Sequence, residues 1–285
     1  MDETLTIRNM TRTEVDQLVE WAAREGWNPG LHDADLFWHT DPEAFIAAEV
    51  NGELAGGGAI TAYDGRFGFM GFFIMRPAFR GRGLGNQLWH ARRQRLLDRL
   101  AAGATVGMDG VFNMQAYYAK GGFVFSHRDI RFEGKGWTSP MGQAIVPLAE
   151  VPFDDVMAYD SRCFPAPRER FLRAWIAQPD SLALGARNQG RMAGFGVIRR
   201  CGQGCKVGPL FADDPDIAEA LFSALSGFAP GEPVYLDTPE NNPQALALVA
   251  RHGMKEVFGC ARMYLGPFPS LPAERIFGVT TFELG

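Results

Sequence analysis

The chain has 285 residues, enough for two domains on the usual scale of about 100–200 residues each. Hydrophobic residues make up 46% and charged residues 21%, so a packed chain is expected rather than a disordered one, and a formal net charge of −5 argues against nucleic-acid binding, which needs a basic face. No apolar run is long enough to cross a bilayer, Met1-Asp2-Glu3-Thr4 carries no signal-peptide core, and four cysteines are too few to staple the chain, so a cytoplasmic protein without a metal is expected.

Leu5 to Arg8 reads as a strand, followed by a helix opened by Thr11, which forms a capping box with Glu14. Val15, Leu18 and Val19 lie on one face of that helix. A second helical stretch runs from Asp33 to His39. Ala44 to Val50 and Glu53 to Thr61 read as strands around Asn51-Gly52, a strong hairpin signal, and Phe67 to Met75 as a third, apolar strand. After a glycine-rich loop, a helix is expected from about Asn86 to Leu100, with Leu88, Trp89, Leu96 and Leu97 inward and Arg92, Arg93 and Arg95 facing water. Thr105 to Gly110 is a short strand, Gln115 to Lys120 a short helix ended by Gly121-Gly122, and Phe123 to Phe132 a strand.

Gly134 to Gly142 is rich in Gly, Ser and Pro and reads as a linker, giving a first domain over 1–136, a linker over 137–143 and a second domain over 144–285. The same order of elements then restarts. Ala144 to Leu148 is a strand, and Phe153 to Tyr159 and Arg168 to Ile176 are helices. Ser181 to Arg187 and Met192 to Arg200 pair across Asn188-Gln189-Gly190. Cys201 and Cys205 flank a tight hairpin tip. A strand from Lys206 to Phe211, a helix from Ile217 to Phe228, a strand from Val234 to Asp237, a helix from Pro243 to His252 and a strand from Glu256 to Leu265 complete the plan. The chain is thus expected to be α+β, with one β-α-α-β-β-β-α-β-α-β order used twice.

The chemistry centres on Arg80-Gly81-Arg82-Gly83-Leu84-Gly85, between an apolar strand and an amphipathic helix. A diphosphate is bound by free backbone N–H groups at a helix N-terminus, aided by the helix dipole. Side chains would block that approach, so alternating glycines suit it; the competing reading is a Gly-Arg surface turn. A Walker loop would need Lys and Ser or Thr where Asn86 and Gln87 stand, and a dinucleotide fold would place the loop near the first strand of a βαβ unit.

Met75-Arg76-Pro77-Ala78-Phe79-Arg80-Gly81-Arg82-Gly83-Leu84-Gly85 resembles the diphosphate motif of the GNAT acetyltransferase superfamily, Gln/Arg-x-x-Gly-x-Gly/Ala. Further on, Tyr118-Ala119-Lys120-Gly121-Gly122-Phe123 is similar to the Tyr-x-x-x-Gly-Phe of that superfamily's later motif. Gly208 to Asp213 and Leu236 to Pro243 resemble the second half of tandem GNAT proteins with a YitH-type C-terminal domain. The resemblance implies two tandem α/β/α GNAT-like domains, each a mixed, mostly antiparallel sheet flanked by helices. It also implies acetyl-CoA as co-substrate. The strand end at Ile74 and Met75 would offer backbone groups to the pantetheine arm, and Arg80, Gly81, Arg82, Gly83, Leu84, Gly85 and Asn86 would hold the diphosphate. One N–H would polarise the thioester carbonyl. Asn113 stands where the family places a cofactor-contacting Asn, at a shorter spacing to Tyr118 than the commonest form.

Tyr118 would then protonate the leaving thiolate, as a phenol that stays neutral near pH 7; the alternative is packing on Phe123. Tyr117 is the expected packing residue. For the general base, Asp109 and Glu49 are candidates, each also readable as a turn cap or a solvent-facing acid. In the second half Phe211-Ala212-Asp213-Asp214-Pro215-Asp216 replaces the glycine loop and Val249 replaces the tyrosine, so no second diphosphate site is expected. That half is either a structural copy or an acceptor-shaping domain, in which Asp160, Asp237 and Glu240 are candidates for a cationic amine. The expected activity is acetyl transfer to a small primary amine, with no nucleic-acid or membrane partner, in a monomer or homodimer. Alternatives are a protein lysine or N-terminal acetyltransferase, a non-catalytic acyl-CoA sensor, and an interaction module of paired sheets.

Overall fold

The computed structural model describes residues 4–142 and 144–285. Met1, Asp2 and Glu3, and Gln143 at the end of the expected linker, lie outside the described residues. The first half comprises β1 (Leu5–Asn9), α1 (Arg12–Arg24), α2 (Asp33–Thr40), β2 (Phe45–Val50), β3 (Glu53–Tyr63), β4 (Phe67–Met75), α3 (Leu84–Leu97), β5 (Thr105–Val111), α4 (Gln115–Lys120) and β6 (Val124–Lys135). The local signals act as read. The Glu14 N–H donates to Thr11 Oγ1 at 3.3 Å and the Thr11 N–H donates to Glu14 Oε2 at 2.8 Å. Asn51 and Gly52 take φ of 51° and 85°, the left-handed pair that a two-residue hairpin needs.

The second half comprises β7 (Ile145–Pro147), α5 (Phe153–Cys163), α6 (Glu169–Ile176), β8 (Ser181–Asn188), β9 (Arg191–Arg200), β10 (Cys205–Ala212), α7 (Pro215–Ser226), β11 (Pro233–Pro239), α8 (Pro243–Arg251), β12 (Lys255–Leu265) and β13 (Ile276–Gly278). The order of elements repeats as read, but β13 and the segment after it are additions. No helix among the described residues is long and apolar enough to cross a membrane.

Among the described residues the strands form one continuous sheet in the order β1-β2-β3-β4-β5-β12-β6-β11-β10-β9-β8-β7, with β13 on β10. Among the paired strands of the described residues, only β4/β5 and β10/β11 run parallel. Each half therefore does not close its own sheet. β12 of the second half lies between β5 and β6, and β6 of the first half lies between β12 and β11. The two final strands have exchanged places, so a strand from the second half forms a wall of the first half's cleft.

A β-bulge opens that cleft. Between Gly58 and Ala59 the β3/β4 register shifts, Phe72 is left unpaired at φ 34°, and β4 pairs with β5 only from Phe67 to Met70. Beyond Met70 the two parallel strands splay, and the edge of β4 that faces β5 is open. In the second half β10 pairs with β11 only from Cys205 to Val207, and there β13 fills the splay, with Leu210 opposite Gly278. The segment after β13 crosses back to the first half. Glu283 packs so closely on Gly71 that a Cβ there would lie 1.6 Å from the Glu283 carbonyl oxygen, and the Tyr63 hydroxyl donates to the Leu284 carbonyl.

Apolar faces cover both sides of the sheet. Leu88, Trp89 and Leu96 of α3 pack with Met70 and Val106 under the first half, and Leu221, Leu225 and Leu248 pack with Leu210 and Leu236 under the second. Between the halves Phe37 of α2 stacks on Trp175 of α6 at 6.3 Å.

Candidate active site

The splay between β4 and β5 opens into a cleft of about 1100 Å³. At one end stands the N-terminus of α3. Gly81 and Gly83 adopt φ of 75° and 78°, the left-handed region that side chains disfavour, and a Cβ at either would project into open space. Gly83 is the N-cap of α3 and no side chain caps the first turn, so its leading N–H groups are left for an anion. Ile74, Met75, Arg80, Gly81, Gly85, Asn86 and Asn113 line the cleft; Arg82, Gly83 and Leu84 do not. Leu84 is buried in the core, and Arg82 lies over the Phe79 ring and donates to the Ala78 carbonyl. Arg80 folds back, its Nε donating to the Met75 carbonyl at 2.7 Å and its guanidinium pairing with Glu25. The loop thus presents backbone rather than arginine side chains.

Tyr118 and Asp109 both line the cleft. The Tyr118 ring lies over β5 at Gly110, where a Cβ would come within 2.4 Å of it, and packs on Trp89 at 5.0 Å. Burial pushes its phenol up to about 12, so it holds its proton. Tyr117, half-buried, also reaches the cleft and donates to Asn86 Oδ1 at 2.8 Å, fixing an expected cofactor contact.

Asp109 is enclosed: Arg262 Nε and Nη2 donate to its two oxygens at 2.6 and 2.7 Å. Burial pushes the Asp109 carboxyl up to about 7, with Arg262 pulling the other way and Asp129 adding to the rise. A carboxylate at that value can take up and release a proton near neutrality. The other base candidate, Glu49, instead accepts from Arg8 at 2.7 and 2.9 Å on β2 and does not line the cleft.

The expectation that Arg92 faces water is overturned. Arg92 is 1% exposed, lines the cleft, and donates through Nη2 to the carbonyls of Ala59 and Gly71 at 2.6 and 2.5 Å, clamping both strands of the bulge. Gly58 makes the room, since a Cβ there would sit 2.3 Å from the Arg92 Cζ. Burial lowers the guanidinium to about 9. Glycines inside a strand signal close approach, and Gly58, where a Cβ would meet Arg92, was that signal. Arg93 and Arg95 are half-buried; Arg95 donates to the Ile7 carbonyl.

The second half adds Glu256, Phe258 and Cys260 of β12 and Phe282 and Glu283 of the final segment to the cleft wall. The three acids expected to serve an amine are engaged elsewhere. Asp160 is bound by Arg168, Asp237 by Arg131 and Glu240 by Arg128, each through an ion pair of 2.6 to 2.7 Å. At the loop that replaces the glycines, Asp214 caps α7 by accepting from the N–H groups of Asp216 and Ile217, and Val249 is buried in α8. The second helix N-terminus is therefore satisfied from within, and its splay is filled by β13.

The cleft's architecture agrees with comparisons to known proteins. Residues 12–123 match a family model described as acetyltransferase (GNAT) family, and residues 156–278 match one described as acetyltransferase (GNAT) domain. Over 287 residues, 99% of this chain and 95% of the relative, the chain is 27% identical to Holothin acyltransferase from Pseudoalteromonas sp. (strain SANK 73390). Its fold matches a Pyrococcus horikoshii protein solved as a candidate acetyltransferase, with a TM-score of 0.84 at 22% identity over 99% of this chain and 96% of that one. It also matches the tandem GNAT protein from the clavulanic acid biosynthesis pathway, with a TM-score of 0.66 at 15% identity over 93% and 100% of the two chains. These matches set aside the sensor and interaction-module readings: with GNAT domains in both halves, the chain belongs to the GNAT acetyltransferase family and is a tandem-domain acyltransferase.

Proposed function

We propose that the chain moves an acetyl group from acetyl-CoA to the primary amine of a small molecule by direct attack, with residues 1–136 as the catalytic half, 137–143 as linker and 144–285 as a half that shapes the acceptor end. The observation that carries this is the uncapped N-terminus of α3, beside an open strand edge that leads to Tyr118 and Asp109. The cleft fits the co-substrate on three counts: free N–H groups behind Gly81 and Gly83, open space at both glycines, and unpaired backbone on β4.

Backbone N–H groups from Gly81 to Asn86 hold the diphosphate, and Asn86 and Asn113 flank it. The β4 edge through Ile74 and Met75 holds the arm in extended form. When bound, acetyl-CoA supplies a thioester carbon open to attack. Arg92 fixes the bulge carbonyls, and so the direction of the neighbouring N–H that faces the developing oxyanion. The amine nitrogen bonds to the carbonyl carbon, the C–S bond breaks, Tyr118 gives its proton to the thiolate, and the nitrogen's remaining extra proton returns to the Tyr118 phenolate. Asp109 accepts the proton that the ammonium must lose.

A small acceptor is supported by the whole-length similarity to a relative named Holothin acyltransferase and by the final segment, which narrows the cleft. A cationic one is supported by Glu256 and Glu283 on its wall. A protein lysine or N-terminus would need a wider groove. The test is thiol release from acetyl-CoA across a panel of primary amines. Turnover is expected with at least one small amine, and Tyr118→Phe should lower kcat roughly 10²-fold while CoA still raises Tm. No thiol release with any amine, and no thermal shift with CoA, would reject the proposal.

A further inference from the structure

Acetyl transfer to an ammonium releases one proton per turnover: the nitrogen loses two, the thiolate keeps one, and the other must leave. Asp109 lines the cleft that the two substrates fill, and its side chain is 0% exposed, so the proton it accepts does not leave straight to bulk water while they are bound. The exchanged strand shows where it goes. Asp109 on β5, Arg262 on β12 and His127 on β6 stand opposite one another across three adjacent strands, and Asp129 is two residues further along β6. In a strand, positions two apart share a face. Arg262 Nη2 lies 2.7 Å from Asp109 Oδ2 and 3.3 Å from Asp129 Oδ2, so both carboxylates meet at one nitrogen.

His127 Nε2 lies 3.5 Å from Asp129 Oδ1, and His127 Nδ1 lies 2.9 Å from Ser126 Oγ. Ser126, His127 and Arg262 line a second cavity of about 110 Å³. The segment after β13 separates the two spaces: Phe282 and Glu283 face the cleft, while Val279 and Thr280 face the second cavity.

We propose that Asp109, Asp129 and His127 form a proton outlet from the cleft to this second cavity, with Arg262 as its fixed counter-charge. The proposal rests on Asp109 being the base. Charge and hydrogen bonding both favour it. One guanidinium faces two carboxylates, so the cluster accepts one proton and becomes neutral. Both oxygens of Asp129 are buried and neither meets hydrogen-bond geometry with a donor, yet Arg262 and His127 at 3.3 and 3.5 Å outweigh burial and hold its carboxyl below the usual range, so an ionised Asp129 is placed to accept the proton that Asp109 takes up. The groups facing the pair are Arg262, Cys260 and Tyr264 on β12 and His127 on β6. The ammonium proton moves to Asp109, then to Asp129, then to His127 Nε2. The imidazole releases its other proton from Nδ1 towards Ser126 and water, and returns to its starting tautomer after a ring flip or proton exchange.

His127→Gln, Asp129→Asn and Asp109→Asn are compared in the full chain at low buffer concentration, with thermal melts as a check on folding. His127→Gln should lower kcat about tenfold with KM for acetyl-CoA unchanged, and added imidazole should restore it, as expected for an external proton carrier. Asp129→Asn should lower kcat similarly. A folded His127→Gln variant with wild-type kcat, or a loss that imidazole leaves untouched, overturns the outlet. An Asp109→Asn variant with full activity overturns the base assignment instead.

Discussion

At the residue scale two acids of opposite duty line the cleft. Tyr118, pushed up to about 12, keeps its proton, and Asp109, pushed up to about 7, gives and takes one near neutrality. The sign of the pH dependence follows. A base works only when unprotonated, so kcat should rise about tenfold per pH unit up to about pH 7 and then level off. Tyr118 should keep that plateau level until well into the alkaline range. Asp109→Asn should remove the rise and lower kcat by roughly 10²-fold. Steady-state rates across the neutral range check both, and a wild-type profile that is flat through pH 7 would exclude Asp109. The placement of Tyr118 in the cleft was legible in the sequence because it stands in a short helix just before the Gly-Phe pair. The partner of Asp109 was not: Arg262 is 153 residues away, and no local pattern announces that distance.

At the element scale the loop into α3 shows how backbone conformation becomes chemistry. Gly83 caps the helix at φ 78°, and the space beside it is open. An alanine there pays about 1–2 kcal/mol for the left-handed backbone and sets a methyl where a diphosphate would approach. Gly83→Ala should therefore weaken CoA binding at least about tenfold, since about 1.4 kcal/mol is a factor of ten. The free protein should lose only a few degrees of Tm, because the residue packs on nothing. Calorimetric titration with CoA beside a thermal melt separates the two effects. Unchanged affinity would move the diphosphate elsewhere. The loop was readable because its requirement is local. The bulge that opens the cleft was only half readable: Gly58 and Gly71 mark close approach, but the groups that approach are Arg92, at a helix position that periodicity assigns to solvent, and the Glu283 backbone, far along the chain.

At the scale of the whole molecule, the order of elements repeats as the sequence suggested, yet the repeat is not the folding unit. An amphipathic strand specifies which face is buried and not which sheet edge it joins, so the exchange of β6 and β12 is invisible to any reading of one half. The consequence is mutual dependence. Without β12 the first half leaves β5 with an open edge in the middle of its sheet, and β6 without either neighbour. It also strips Arg262 from Asp109 and Asp129, both fully enclosed. Breaking a buried ion pair by removing one partner costs about 3–5 kcal/mol, a large share of a typical domain stability of about 5–15 kcal/mol, before the lost strand is counted. Residues 1–136 produced alone should therefore be insoluble or melt without cooperativity, although they carry the glycine loop, Tyr118 and Asp109. Co-production with residues 137–285 should restore a soluble complex that binds CoA. A monomeric 1–136 fragment with a sharp melt and a CoA-dependent rise in Tm would show that the first half closes its own sheet, and the cleft would then owe nothing to its partner.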